Sequence, residues 1–421
     1  MNIDVKAGIL QVCRKIIPDE IRHRVSHQIK KTQSRLSQTQ HHKAFSAKTS
    51  ESVVIVFLVY KPQLWNSLKS VYHASIQNKR VITYLVISPD NQNGTWCIDD
   101  KVLSFFRAEA VEVISGDQDG RIFDLSSLKP DIVFRQTPYD EAYPDEYSMK
   151  KIAGYAKTCY IPYGFNLSPD KHLRIEYNHP FTKDLFAVFI DCQSNAVFCE
   201  NLKGDLYPDL NIIYEGFPRL DLLRELEDRR EKDCYTFSWI PRWSLDSVYN
   251  DPSGFLVYKD VLLGFFKENP HCKLIIRPHP LMFPNFIKWG VMSEQEVNDF
   301  QETIGRFPNV RMDNNFDYLL TFEETDALIA DWSSLLYEFY LTGKPIIYCG
   351  STAEHNQETE TMMKLLYKVD NWKKMKKRME TLISGQDELE EERREDIQSM
   401  LAELPENIGK AIVDRCISFC T

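Results

Sequence analysis

Short apolar runs recur along this chain, each about the length of a strand. The first, "SVVIVFLV" (52–59), is rich in β-branched residues and has no polar residue after Ser52. Such a run predicts a strand buried on both faces of a parallel sheet. "RVITYLVI" (80–87) repeats it after a helix-like segment. Shorter runs follow at "AVEVI" (110–114), "DIVF" (131–134), "TCYIP" (158–162), "LFAVFI" (185–190) and "LNIIY" (210–214). Strands separated by helical patterns predict βα units.

A second, more regular series begins near residue 234. It runs "CYTFSWI", a helix "FLVYKDVLLGFFKEN" ending at Pro270, "CKLIIRPHP", "NVRM" (309–312), "DALIA" (326–330), the helix-like "SSLLYEFYLTG" and "KPIIYC" (344–349). The expected fold class is therefore α/β, with two Rossmann-type domains facing a central cleft. Ligands of open parallel sheets bind outside the carboxyl ends of the strands. The expected boundaries are a basic N-terminal arm over 1–50, a first domain over 51–230, a second over 231–390 and a C-terminal helical segment over 391–421.

Composition narrows the class. A chain of 421 residues exceeds one ordinary core, and 43% hydrophobic with 27% charged residues describes a globular protein. No apolar run reaches the length of about 18 that a membrane helix needs. The N-terminus lacks the apolar region of a signal peptide, so a cytoplasmic location is expected. Ten cysteines form no metal-ligand spacing and read as reduced thiols; neither metal nor cofactor is expected.

Charge is uneven. Residues 1–48 hold ten Lys+Arg against three Asp+Glu, a balance of +7, so the formal −10 of the chain leaves −17 for the rest. A second basic stretch, "LLYKVDNWKKMKKRMETL" (365–382), sets Leu365, Leu366, Val369, Trp372, Met375 and Met379 at nearly helical spacing among lysines. It suits either a surface helix with a core-facing stripe or a helix lying on an anionic membrane.

Two segments carry candidate chemistry. In "KLIIRPHPLMF" (273–283) a strand stops at Arg277, and His279 stands between Pro278 and Pro280, which stiffen its loop. In "DALIADWSSLLYEFYLTGKPIIYC" (326–349) a strand ends at Asp331 and a helix is expected to start at Ser333 or Ser334. Serine hydroxyls and free N–H groups at such a turn suit phosphate, and Glu338 one turn on suits a sugar hydroxyl. There is no GxGxxG and no GxxxxGK[ST], which argues against the usual dinucleotide fold and against P-loop NTPases.

"EGFPRLDLL" (215–223), "WIPRWS" (239–244), "RPHP" (277–280) and "ADWSSLLYEFYLTGKPIIY" (330–348), in that order, resemble the CDP-glycerol glycerophosphotransferases of teichoic-acid and capsule synthesis. The resemblance implies a GT-B-like fold, with an acceptor domain first and a nucleotide-donor domain second. It implies transfer of glycerol phosphate from CDP-glycerol to a hydroxyl of a polymeric or lipid-linked acceptor, releasing CMP. It also implies peripheral contact with the anionic inner face of the membrane, and no nucleic-acid partner is expected. Carried over, His279 meets the diphosphate or acts in catalysis, Ser333 and Ser334 hold phosphate, and Arg277 adds charge. Asp331 and Glu338 order the loop and the ribose, and Arg219 and Asp221 sit near the inter-domain hinge.

One departure stands out. The Trp-His-Gly-Thr segment of the family corresponds to "CYIPYGFNL" (159–167), where Tyr160 and Tyr163 replace the histidine. A tyrosine is a poor base at neutral pH. His179 is the first substitute, with Asp140 and Glu141 beside it. The missing histidine also admits two other readings: a GT-B glycosyltransferase using a nucleotide sugar, and a non-catalytic subunit of a polymer-assembly complex.

Overall fold

The computed structural model describes residues 52–421 apart from 93, 111, 169, 208, 232, 246–251 and 351–353, so the basic arm lies outside the described residues. Seven strands form a first sheet: β1 (Val53–Val59), β2 (Val81–Ile87), β3 (Val113–Ser115), β4 (Ile132–Arg135), β5 (Lys157–Tyr160), β6 (Ala187–Phe189) and β7 (Asn211–Ile213). Six form a second: β8 (Tyr235–Ile240), β9 (Cys272–Ile276), β10 (Val310–Met312), β11 (Ala327–Ala330), β12 (Ile346–Tyr348) and β13 (Tyr367–Lys368).

Every pairing in both sheets is parallel. The spatial order is β3-β2-β1-β4-β5-β6-β7 in the first and β10-β9-β8-β11-β12-β13 in the second. Both are doubly wound, with the order reversing at β1/β4 and at β8/β11. A crevice opens at such a reversal, because neighbouring connections leave on opposite faces. All seven residues of β1 are buried, as a run apolar on both faces requires.

The helices that matter here are α1 (Asn66–Gln77), α2 (Asp170–Tyr177), α3 (Arg219–Arg224), α4 (Phe255–Glu268), α5 (Leu335–Tyr340), α6 (Trp372–Ile383) and α7 (Ile408–Ser418). In α6 the stripe is spent on the core: Met375 and Met379 are buried among residues of α4 and β9, and Trp372 packs edge-on against Phe265. Lys373, Lys374 and Lys377 remain exposed. Of the two readings of this stretch, the core-facing stripe is the one the packing bears out.

The chain end crosses back. Ile408, Ile412, Val413 and Cys416 of α7 join the core of the first sheet together with Leu220 of α3. Asp221 fastens that return, accepting from the backbone N–H of Ile408 at 3.0 Å and of Gly409 at 2.8 Å, and from the Ser70 hydroxyl. Only glycine fits at 409, since a Cβ there would stand 2.3 Å from Ser70 Oγ. Among the described residues no helix is long and apolar enough to cross a membrane.

Candidate functional site

The carboxyl ends of β8, β9 and β11 converge where the second sheet reverses its order. Three loops leave there: Pro241–Trp243 after β8, Arg277–His279 after β9 and Asp331–Ser334 after β11. They enclose a cavity of about 300 Å³ lined by Arg242, Trp243, Arg277, His279, Trp332, Ser333 and Ser334. His279, Ser333, Ser334 and Arg277, far apart in sequence, thus share one wall.

His279 is exposed to this cavity. Its Nδ1 accepts from the backbone N–H of Leu281 at 3.1 Å, so the neutral ring carries its proton on Nε2. Desolvation by the cavity walls, then the charge of Arg242, lower its pKa to about 4. Near neutral pH the ring therefore offers an N–H donor and no charge. Arg242 lies half-buried, its guanidinium 6.0 Å from the Trp243 ring centroid.

Arg277 reaches the same wall, but its charge is already met. Its Nη1 donates to Asp313 at 2.6 Å and to the carbonyl of Asn315 at 3.0 Å. Burial opposes charge on Asp313, yet Thr321, Arg277 and the Asn315 amide hold its carboxyl below the ordinary range. Asp331 is fully buried beneath the cavity, and its Oδ2 accepts from the backbone N–H of Arg242 and of Gly254, each at 3.0 Å. It orders two loops and does not itself face a ligand.

Helix α5 spans six residues where the sequence pattern predicts a helix over about 333–343. Trp332–Ser334 stays in a turn, and Gly343, at φ +77°, closes the other end. The Ser333 hydroxyl accepts from the Leu335 N–H at 3.2 Å, and Ser334 makes no side-chain cap. With so short a helix, the hydroxyls and turn N–H groups matter more here than any macrodipole.

Glu338 does not look into the cleft as its spacing suggests. It is fully buried and bonded to Arg219 Nη1 at 2.5 Å and to the Tyr318 hydroxyl. Burial raises its carboxyl above the ordinary range, with Arg219 and Tyr318 pulling it back. Leu336 to Tyr340 are all buried, because α5 is enclosed between the two halves, and only Leu335 at its start is half-buried, at the edge of the cavity. Arg219 also donates to the carbonyl of Tyr163 in the first half. The pair Arg219–Glu338 is therefore a seam between halves. Phe165 stacks on Tyr337 beside it, with ring centroids 3.4 Å apart.

A second cavity, of about 250 Å³, opens at the carboxyl end of β5. Tyr160, Tyr163, Asn166, Glu176 and Tyr177 line it together with Trp332 and Ser334, which it shares with the first. Gly164 presses close, since a Cβ there would stand 3.1 Å from Ser334 Oγ. His179 lines neither cavity; its ring packs on Phe181 and Tyr139 at 5.0 and 5.8 Å. Asp140 is engaged by Arg135 at 2.5 Å and by the Met149 N–H at 2.9 Å, and Glu141 is exposed.

Several cavity residues escaped the sequence reading, among them Arg242, Trp243, Trp332 and Glu176. Arg242 and Trp243 lie in "WIPRWS", whose order was a usable signal. Trp332 sits inside the quoted serine motif. Glu176 gave none, since a glutamate on a charged helix reads as solvated surface. No cluster among the described residues is arranged to hold a metal ion.

Comparison with known proteins agrees with this layout. Residues 207–395 match the family described as CDP-Glycerol:Poly(glycerophosphate) glycerophosphotransferase. The chain is 26% identical over 168 residues to the minor teichoic acid biosynthesis protein GgaB of Bacillus subtilis (strain 168), a match covering 35% of this chain and 16% of that protein. The chain thus spans only a small part of that relative. Among solved structures, UDP-GlcNAc 2-epimerase from Neisseria meningitidis bound to UDP-GlcNAc superposes with a TM-score of 0.56 at 12% identity, covering 87% of this chain and 99% of that one. The wall teichoic acid polymerase TagF superposes at 0.53 and 13% identity, covering 96% and 98%. At such identities these structures speak for the fold, which is GT-B. Over residues 207–395 the chain is thus similar in sequence to the CDP-glycerol:poly(glycerophosphate) glycerophosphotransferase family, within a fold that is GT-B.

Proposed function

We propose that this protein transfers glycerol phosphate, or a related polyol phosphate, from CDP-glycerol to a hydroxyl of a surface polymer or its lipid-linked precursor, releasing CMP. The observation that carries the reading is the cavity at the β8/β11 reversal. It gathers an N–H-donating imidazole, an arginine and two serine hydroxyls, all within the segment that matches the family. A transferring phosphoryl group spreads negative charge over its oxygens, so fixed donors aimed at it do most of the work. His279 Nε2–H and Arg242 meet the diphosphate, Ser333 and Ser334 bind its oxygens, and Arg277 is a positioning residue for the β9 loop. Support for a peripheral membrane contact rests on charge alone, in the exposed lysines of α6, since the apolar stripe is used in the core.

The test is donor turnover. The purified protein is incubated with CDP-glycerol carrying labelled glycerol phosphate and a lipid-linked acceptor extract, beside UDP- and GDP-sugars, and the released nucleotide is identified. CMP from CDP-glycerol, with label in the acceptor, is the expected result. UDP or GDP release would assign the same cavity to sugar transfer. Ser333→Ala with Ser334→Ala should raise the donor KM about tenfold, at about 0.5–1.5 kcal/mol for each hydrogen bond lost.

A further inference from the structure

We infer that the first-domain cavity is the acceptor site and that Glu176 is its catalytic base, taking the proton from a sugar or polyol hydroxyl. The inference rests on the transfer reading above and supplies what the absent first-domain histidine leaves open.

The cavity is placed for this, because it meets the donor cavity at Trp332 and Ser334. Its described lining holds tyrosines, a tryptophan, an asparagine, serines and a carboxylate, and no lysine, arginine or histidine. That composition suits an uncharged, hydroxyl-rich group: aromatic faces for the ring or chain, amide and hydroxyls for its oxygens. Among the described lining residues no cation stands to offset an anionic group brought against Glu176.

Glu176 is also held for the task. Asn166 Nδ2 donates to its Oε2 at 3.0 Å, and no described donor is bonded to Oε1. The same Asn166 gives its backbone N–H to the buried carboxylate of Asp191, which Asn195 Nδ2 also holds, at 3.0 Å. Among the described residues, the other titratable side chains lining the cavity with Glu176 are tyrosines. Burial pushes the hydroxyls of Tyr160 and Tyr177 well up and raises those of Tyr139 and Tyr163, so all four stay protonated. Burial and the nearby Asp191 bring Glu176 to about 7, where a general base works best.

The step balances within the two cavities. The acceptor oxygen bonds to the β-phosphorus of the donor, and the phosphorus–oxygen bond to CMP breaks, with CMP taking the electron pair. The acceptor proton passes to Glu176 Oε1 and from there to solvent.

The experiment measures Glu176→Gln, Glu176→Ala and wild type on whichever donor the wild type turns over. Glu176→Gln should lose at least about 100-fold in kcat and bind CMP as wild type does. It should also lose the acid limb that wild-type kcat/KM shows near pH 7, and formate should restore part of the turnover of Glu176→Ala. Turnover within about threefold of wild type, an unchanged acid limb, or loss of CMP binding along with activity would overturn the assignment. If wild type uses a nucleotide sugar, the donor reading falls, while the same variants still judge Glu176. Release of no nucleotide from any donor overturns both.

Discussion

The two cavities that meet at Trp332 and Ser334 are built from opposite chemistry. On the second-domain side stand Arg242, His279 and serine hydroxyls, all donors. On the first-domain side stand Glu176, Asn166 and tyrosines, around a carboxylate that burial brings close to neutrality. Both lie at carboxyl ends of parallel strands, so fold alone does not tell them apart. The chemistry of the groups does: N–H and O–H donors suit an anion, and a half-buried carboxylate suits the proton transfer proposed above. The proposed division of labour between donor and acceptor rests on that contrast.

The contrast depends on the seam that holds the halves together, and breaking the seam should have the largest effect. Arg219→Ala leaves Glu338 buried without its cation, which costs about 3–5 kcal/mol. Removing both charges in Arg219→Met with Glu338→Leu should cost much less, because the desolvation penalty goes with them. Urea unfolding of the three proteins checks this. A loss below about 1 kcal/mol for the single variant would mean that the pair is solvated and is not what joins the halves.

Next in size is the donor side. His279→Ala should lower kcat about 10²–10³-fold, as loss of one fixed donor to a developing charge does elsewhere. The urea midpoint should stay near wild type, since the ring is exposed and, among the described residues, its side chain bonds only a local backbone N–H. His279→Gln keeps an N–H donor of similar reach and should retain more activity than alanine, because the wild-type ring acts without charge. Wild-type turnover in His279→Ala would sink the cavity assignment.

The two sides also differ in how far the sequence betrayed them. The β8, β9 and β11 runs end at a proline-stiffened histidine and a serine pair, so strand pattern and residue type point to one place. The same pattern misplaced Glu338, because helical spacing from Ser334 says which face it shares and not whether that face is covered. The other half of the chain covers it, through Arg219, which lies 119 residues away. The stripe of α6 was legible as amphipathic and ambiguous as to what it meets. Glu176 was illegible for a related reason: its environment comes from Asn166, Asp191 and four tyrosines brought together by β5, β6 and α2. Local pattern reveals strands and loop residues, whereas charge environment is set by tertiary neighbours.

The smallest effect sharpens the comparison through pH. The folded-state pKa of Glu176 lies above its ordinary value of 4.5, at about 7, so the fold prefers the neutral carboxyl. That preference contributes fully below about pH 4.5 and is lost as pH rises through 7. His279 runs the other way: its value, about 4, lies below the ordinary 6.5, so its contribution is present above 6.5 and is lost on acidification toward 4. In Glu176→Gln the amide stays neutral throughout, and the His279 contribution is common to both proteins and cancels. At pH 4.5 the variant and wild type should therefore be equally stable. At pH 8 the variant should be more stable, by on the order of 1–2 kcal/mol once solvent at the cavity mouth is allowed for. Denaturant midpoints at the two pH values measure the difference. An unchanged gap between them would mean that Glu176 is solvated and titrates as an ordinary surface glutamate, erasing the asymmetry between the cavities.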